Sequence, residues 1–165
     1  MNVFFKNTTL LGCIAVCLFS IKLNGQSSSS FGIKGGANFT FFKVAEASFG
    51  TNPETATGFY FGGFMDFEVD ESFSIQPEVL YIVLNDFNFV NAPIYMKYEV
   101  GHNFNLLVGP SLNYFFDFFV NKFKVRGDIA TSYQFTSALD IHLKYTLGFQ
   151  EITPNGLFIG LGLKL

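Results

Sequence analysis

The stretch LDIHLKYTLGF, residues 139–149, decides the fold class because its side chains alternate strictly between apolar and polar. One face carries Leu139, Ile141, Leu143, Tyr145, Leu147 and Phe149, and the other carries Asp140, His142, Lys144 and Thr146. A period of two residues predicts a β-strand whose two faces meet different surroundings. An ordinary strand has about 5–6 residues, whereas a tilted strand that crosses a bilayer needs about 9–11. The length and the alternation therefore indicate a membrane-crossing strand.

The same alternation recurs along the rest of the chain. It is found in residues 31–42, 57–69, 73–84, 90–100, 104–116, 123–135 and 157–165. None of the eight apolar faces carries Asp, Glu, Lys, Arg or His, whereas the opposite faces carry six acidic and six basic side chains. Short connections (70–72, 101–103, 136–137) alternate with longer ones (43–56, 85–89, 117–122, 150–156). This combination predicts an all-β fold, an eight-stranded antiparallel up-and-down transmembrane β-barrel.

The first 25 residues differ from the remainder. Lys6 precedes an apolar run, residues 10–21, that is too short to span a bilayer as a helix, and a serine-rich stretch follows it. We interpret residues 1–25 as a cleaved signal peptide and residues 26–165 as an outer-membrane β-barrel domain. Both cysteines, Cys13 and Cys17, lie in the predicted signal peptide, so the mature chain has no disulfide framework.

The charges on the polar faces form the one constellation of candidate functional residues. They are predicted to point into the barrel as a network that fills the lumen, with Glu78 and Lys97, Asp140 and Arg126, and Lys144 and Lys164 on adjacent strands. The network comprises Lys34, Asp66, Glu68, Glu78, Lys97, Glu99, Arg126, Asp128, Asp140, Lys144 and Lys164. A narrow polar path or a proton-coupled site is the functional alternative to this structural interpretation.

Three prolines fall inside the predicted strands. A closed barrel has no edge at which a residue without an N–H is harmless, so proline is expected at a bulge or near a rim. A bulge at Pro77, Pro93 or Pro110 would shift the alternation by one residue.

Composition and residue inventory leave few other function classes open. Without Lys6 and Lys22 the chain keeps 8 basic and 13 acidic residues, a net charge of −5, and it has no basic patch for nucleic acid. His102 and His142 are the only histidines, and neither has a nucleophile in a recognisable arrangement. We therefore expect no catalytic residue, no metal site and no cofactor, with an outer-membrane lipid-modifying enzyme as the minor alternative.

A soluble, secreted lipocalin-like barrel that binds lipid is the main alternative fold, because such barrels also alternate. Three features favour the membrane barrel instead. The polar face is rich in Gly, Ser and Asn, its charges balance, and the apolar face carries more Phe and Tyr than the interior of eight strands could hold.

Several stretches together resemble the outer-membrane β-barrel family of Bacteroidetes-type bacteria, often labelled PorT-like. They are FGIKGGANFT (31–40), SIQPEVLYI (74–82), APIYMKYEV (92–100), VGPSLNYFF (108–116), IHLKYTLGF (141–149) and the apolar final strand. The resemblance implies an eight-stranded barrel in the outer membrane, without assigning a role in secretion. The final residue is Leu165, where outer-membrane barrels in general commonly have Phe.

A barrel of this kind would have lipid as its surroundings. We expect a monomer that meets periplasmic chaperones and the barrel-assembly machinery during biogenesis and contacts a protein partner through its outer loops. The stretch FFDFFVNKF, residues 115–123, is either an aromatic girdle at the lipid headgroups or a docking patch.

Overall fold

The structure, a computed structural model, describes residues 29–46, 50–84, 88–101, 103–116, 122–149 and 154–165. The predicted signal peptide lies outside these residues, as do His102 and residues 117–121 of the aromatic stretch. No helix in the described ranges is long and apolar enough to cross a membrane.

Eight strands form the fold, and all eight were predicted near their observed positions. They are β1 (Ser29–Glu46), β2 (Gly50–Asp70), β3 (Phe73–Leu84), β4 (Asn88–Gly101), β5 (Phe104–Phe115), β6 (Phe123–Gln134), β7 (Leu139–Gly148) and β8 (Asn155–Lys164). Each strand pairs antiparallel with the next in sequence. β8 then pairs with β1, from Gly32 opposite Lys164 to Phe41 opposite Asn155, so the sheet closes into a barrel.

The barrel has two distinct ends. Residues 71–72, 102–103 and 135–138 connect strands at one end, which we call the turn end; Ser29 and Leu165 lie there too. The other end, which we call the loop end, is where the strand ends Leu84, Asn88, Phe115, Phe123, Gly148 and Asn155 lie. In the turn before β5, Asn103 has a φ of 69°, a left-handed conformation that asparagine tolerates better than most residues.

The prediction of a long loop at 43–56 is wrong. β1 and β2 continue as paired strands across this segment, from Phe42 opposite Glu54 to Glu46 opposite Gly50. β8 stops pairing with β1 at Phe41, and β3 stops pairing with β2 at Gly58. Residues 42–57 therefore form a two-stranded arm beyond the barrel wall. The backbones of two strands can pair without a sustained alternation of apolar and polar residues, which the sequence of this segment lacks.

The prolines do not shift the alternation between faces. Pairing of β3 with β4 is interrupted between Pro77 and Leu80, and pairing of β4 with β5 is interrupted between Pro93 and Met96. In both cases the register resumes unchanged, because each proline removes a donor without inserting an extra residue. The register shifts that do occur lie at the turn end, between Glu68 and Asp70 and between Glu99 and Gly101.

The barrel wall separates an apolar exterior from a largely polar interior. Large apolar side chains stay exposed outside, for example Phe59 at 73%, Val79 at 60% and Ile129 at 46%. Charged side chains such as Lys34 and Glu78 are buried inside. This is the reverse of the usual arrangement in water, where Lys and Glu are almost never fully buried unless they are paired.

Candidate functional site

A set of ion pairs, which we call the ionic tier, fills the lumen at mid-barrel and lines it toward the turn end. Lys34 Nζ lies 2.5 Å from Glu78 Oε1, and Gln76 donates to the same oxygen at 2.6 Å. Lys97 Nζ lies 2.5 Å from Asp66 Oδ2, and Lys164 Nζ lies 3.7 Å from that oxygen. Every acceptor in this group is buried. Opposite charges in contact reduce the cost of removing each one from water.

A second part of the ionic tier centres on Asp128. Lys144 Nζ lies 3.3 Å from Asp128 Oδ2 and also donates to the side-chain oxygen of Asn91. Ser111 donates to the other carboxylate oxygen at 2.8 Å, and the Tyr95 hydroxyl donates to Oδ2 at 3.3 Å. Asp128 is thus surrounded by donors from three other strands, β4, β5 and β7, which explains how a carboxylate remains stable there.

The structure places the predicted charges inside, except Glu68 and Glu99, but their contacts differ from those expected from neighbouring strands. Glu78 with Lys97, Asp140 with Arg126, and Lys144 with Lys164 do lie on neighbouring strands. None of these three couples is in contact among the described side chains. Lys97 lies opposite Ser74 in the β3–β4 register, far from Glu78 along the strand. Arg126 and Asp140 lie near opposite ends of the β6–β7 pairing.

Arg126 has neutral partners instead of the predicted carboxylate. Its guanidinium donates to the carbonyl oxygen of Pro154 at 2.5 Å and to Asn113 Oδ1 at 2.8 Å. Its carbon Cζ lies 5.5 Å and 5.8 Å from the ring centroids of Phe89 and Phe115, within the range of a cation–π contact.

Glu68 and Glu99 are not part of the buried network. Both are exposed at the turn end, where they border the cavity mouth. The register shift that follows each of them marks the end of regular pairing, so the wall no longer covers their side chains.

The sequence interpretation missed an apolar cluster inside the loop end of the barrel, which we call the apolar tier. Phe89 and Phe115 stack with centroids 4.7 Å apart, and Tyr60 meets Phe158 edge-on at 5.3 Å. The tier comprises Tyr60, Leu80, Ile82, Leu84, Phe89, Phe115 and Phe158. A signal was present, because the inward positions of β3 change from Ser, Gln and Glu to Leu80, Ile82 and Leu84.

His142 connects the two tiers. Its Nε2 lies 2.5 Å from the Tyr60 hydroxyl, and its Nδ1 lies 3.2 Å from Asp140 Oδ1. Gly160 and Gly162 on β8 face this chain of side chains, and a Cβ at Gly160 would overlap the Tyr60 hydroxyl while one at Gly162 would overlap the Asp140 carboxylate. The small residues of β8 therefore provide the room in which Tyr60, His142 and Asp140 meet.

Comparison with known protein families and with characterised proteins finds no match to this chain. Among solved structures, a de novo designed transmembrane β-barrel matches 88% of this chain and 100% of its own, with a TM-score of 0.56 and 14% identity. The crystal structure of Ail, the attachment invasion locus protein of Yersinia pestis, matches 84% of this chain and 99% of its own, with a TM-score of 0.54 and 12% identity. Ail in a phospholipid bilayer nanodisc matches with a TM-score of 0.55 at 10% identity, over 84% of this chain and 100% of its own.

The fold is that of a transmembrane β-barrel. At these identities the likeness concerns the fold alone, so the interior must be interpreted from its own geometry.

The lumen of this transmembrane barrel has an open mouth and a filled centre. A cavity of about 750 Å³ opens at the turn end and is bordered by Asp66, Glu68, Lys97, Glu99 and Lys164. Farther inside, the cavity between Lys34, Tyr60, Glu78, His142 and Lys144 measures only about 10 Å³. That volume is about the minimum for one water molecule. In the described part of the chain, the ionic tier therefore fills the lumen at mid-barrel.

The arrangement Asp140–His142–Tyr60 has the connectivity of an orienting group, a base and a hydroxyl. A central cavity of about 10 Å³ leaves no space for a substrate beside that hydroxyl. Within the described ranges, no group of three or more His, Cys, Asp or Glu side chains is placed to hold a metal ion.

Proposed function

We propose that this chain is an integral outer-membrane β-barrel protein with a structural or binding role. The observation that carries the proposal is the inversion of polarity, with charge-free apolar side chains outside and paired charges inside. An apolar exterior of this extent would be a severe aggregation liability in water but matches the acyl chains of a bilayer. Lipid is then the first partner of the barrel, and export through the signal peptide precedes assembly by periplasmic chaperones and the barrel-assembly machinery.

The exterior aromatic side chains near the loop end support the same proposal. Tyr114 lies 5.2 Å from Phe116 and 4.8 Å from Phe123, measured between ring centroids, and Tyr81 lies 6.1 Å from Phe116. Aromatic residues concentrate where a barrel meets the lipid headgroups. We propose that this group is a girdle and that recognition of a protein partner falls to the loops and the arm beyond it. Membership of the PorT-like family is part of this proposal and rests on the sequence resemblance.

The alternative of a soluble lipid-binding barrel lacks support in the lumen. Such a barrel needs an apolar cavity, typically about 300–1,000 Å³, whereas the interior here is occupied by ion pairs at mid-barrel and by packed rings at the loop end. The filled centre also argues against a lipid-modifying enzyme that works inside the barrel. We therefore propose that the chain is a monomeric membrane protein without enzymatic activity or a cofactor.

Cell fractionation tests the location. We expect the protein in the outer-membrane fraction, and we expect unboiled samples to migrate differently from boiled ones on a denaturing gel because a closed barrel resists detergent. A boiled sample of the same fraction is the control for identity. Recovery in the soluble periplasm without a heat-dependent mobility shift would exclude the proposal.

Conductance measurements test the filled lumen. We expect purified protein in a planar lipid bilayer to produce no stable single-channel steps, because the cavity between Lys34, Glu78 and Lys144 holds one water molecule at most. A Glu99→Gln variant, altered only at the exposed mouth, should likewise produce no single-channel current steps. Steady channel openings in the unaltered protein would show that the interior is a conducting path.

A further inference from the structure

The chain Asp140–His142–Tyr60 links titratable side chains at mid-barrel to the apolar tier through hydrogen bonds, beside the cation–π contact of Lys144 Nζ with the Phe158 ring at 4.4 Å. The Tyr60 hydroxyl bonds His142, while the Tyr60 ring packs edge-on against Phe158 and belongs to the apolar tier. Tyr60 is 2% exposed and His142 is 6% exposed. A change in the proton count of His142 therefore acts on a side chain that is packed among Leu80, Phe158 and their neighbours.

Neutral His142 satisfies both of its neighbours. With the proton on Nδ1, the ring donates to Asp140, and Nε2 accepts the proton of the Tyr60 hydroxyl. A second proton on the ring converts Nε2 from an acceptor into a donor. The hydroxyl of Tyr60 must then turn its own proton away from His142, and the buried hydrogen bond in its present direction is lost.

Charged side chains near His142 attract or repel the positive charge that protonation would add to its ring. Asp140 attracts it, and Glu78 does so from farther away, whereas Lys34 and Lys144 repel it from β1 and β7. Tyr95 borders the same central cavity, and the Asp66–Lys97–Lys164 group lies toward the mouth. Glu78 already pairs with Lys34, and Asp128 already pairs with Lys144, whereas the ion-pair partner of Asp140 among the described side chains is His142.

Tyr60, the loop-end member of the Asp140–His142–Tyr60 chain, lies close in sequence to the base of the arm. Tyr60 follows Thr57 by three residues in β2, and Gly58 is the first residue of β2 that pairs with β3. Leu84, opposite Gly58, is itself part of the apolar tier. The base of the arm thus rests on the packing in which the Tyr60 ring takes part.

From this geometry we infer that His142 is a proton-binding site that makes the packing of the apolar tier, and with it the base of the arm, sensitive to acidification. Protonation destabilises the barrel, because it buries an additional positive charge and removes the acceptor of the Tyr60 hydroxyl. Stability is full above the ordinary histidine pKa, about 6.5, and falls as the pH drops through it, since the unfolded chain then binds more protons than the folded barrel. The inference rests on the barrel interior and not on the membrane location.

The test is the thermal stability of the refolded full chain in detergent, at about pH 7.5 and about pH 5, a window in which histidine titrates and the side chains of Asp, Glu and Lys change their charge little. We expect the temperature at which the folded gel form disappears to fall by about 5 °C at the lower pH. The amide side chain of a His142→Gln variant cannot gain a proton, so its midpoint should move by no more than about 1 °C. A His102→Gln variant is the matched control, because it removes the only other histidine and should keep the full shift.

Two further measurements, the nitrogen spectrum of histidine and deuterium uptake, test the inference if His142→Gln does not fold. In the His102→Gln protein labelled at histidine, the single remaining ring should change from the neutral to the protonated nitrogen spectrum between the two pH values. Deuterium uptake, corrected for intrinsic exchange, should rise at least about threefold at low pH in peptides from 50–60 and stay level in peptides from β6, because local opening exposes the amides of the base of the arm. An unchanged ring spectrum, equal pH shifts in wild type and His142→Gln, or equal uptake in both segments overturns the inference.

Discussion

Replacing Ile129 by arginine is expected to lower the free energy of unfolding by about 2–4 kcal/mol in lipid vesicles. Ile129 lies at the middle of β6, on the exterior, opposite Val108 and Tyr145 of the neighbouring strands. A charge at this depth would leave water for the acyl chains, where its hydration cannot be replaced. Denaturant titration of protein folded into vesicles measures the loss.

A rim position supplies the matched control. Phe135 is also exposed but lies in the connection 135–138 at the turn end. A Phe135→Arg variant should lose only about 0–1 kcal/mol, because the cost of a charge falls toward the interface. If both arginines cost the same, or if Ile129→Arg is neutral as for an ordinary surface of a soluble protein, the exterior does not face lipid.

Breaking the Lys34–Glu78 pair from one side is the other change with a large expected effect. Glu78→Gln leaves the buried ammonium of Lys34 without its carboxylate 2.5 Å away. An uncompensated buried charge of this kind costs about 3–5 kcal/mol. We expect the variant to unfold at markedly lower denaturant concentration, and in the extreme case to fail to refold.

Removing the second charge should restore most of the loss. The double variant Lys34→Met/Glu78→Gln keeps an acceptor for Gln76, whose amide lies 2.6 Å from Glu78, and places a polarisable side chain against Phe64, over whose ring Lys34 now lies at 4.9 Å. We expect it within about 1 kcal/mol of wild type, because replacing a whole buried ion pair is often neutral. A double variant as unstable as Glu78→Gln alone would show that the single loss does not arise from the orphaned ammonium.

Ile129→Arg and Glu78→Gln are expected to destabilise the barrel for different physical reasons. A side chain on the exterior contacts only lipid, so the free energy lost on substitution there depends on the depth of the position and on the charge introduced. Charged side chains in the interior each contact a particular partner, as Lys34, Asp66, Asp128 and Lys144 do. The free energy lost on substitution there depends on whether an unpaired buried charge is left behind. The same property makes His142 the natural point for a pH response, since its proton count decides whether Tyr60 has an acceptor.

Much of the fold was predictable from local pattern. Strand number and the outward set that includes Val79, Ile94 and Leu161 follow from a period-two alternation that each segment carries on its own. Closure of β8 on β1 was expected for a different reason, because a membrane barrel has no free edge. The alternation survived Pro77 and Pro93 because parity changes only where a residue is inserted. The arm at 42–57 escaped prediction because the sequence of residues 43–56 lacks a sustained period-two alternation.

The amino-acid sequence by itself determined which side chains point into the barrel, and the tertiary structure decided which of them meet. Lys34 on β1 pairs with Glu78 on β3, and Tyr60 on β2 bonds His142 on β7. Neither contact joins neighbouring strands, because strands that tilt around a closed barrel bring side chains together across the lumen at heights set by the stagger of the whole sheet. Alternation is a property of one strand, whereas partnership in the lumen is a property of all eight strands together.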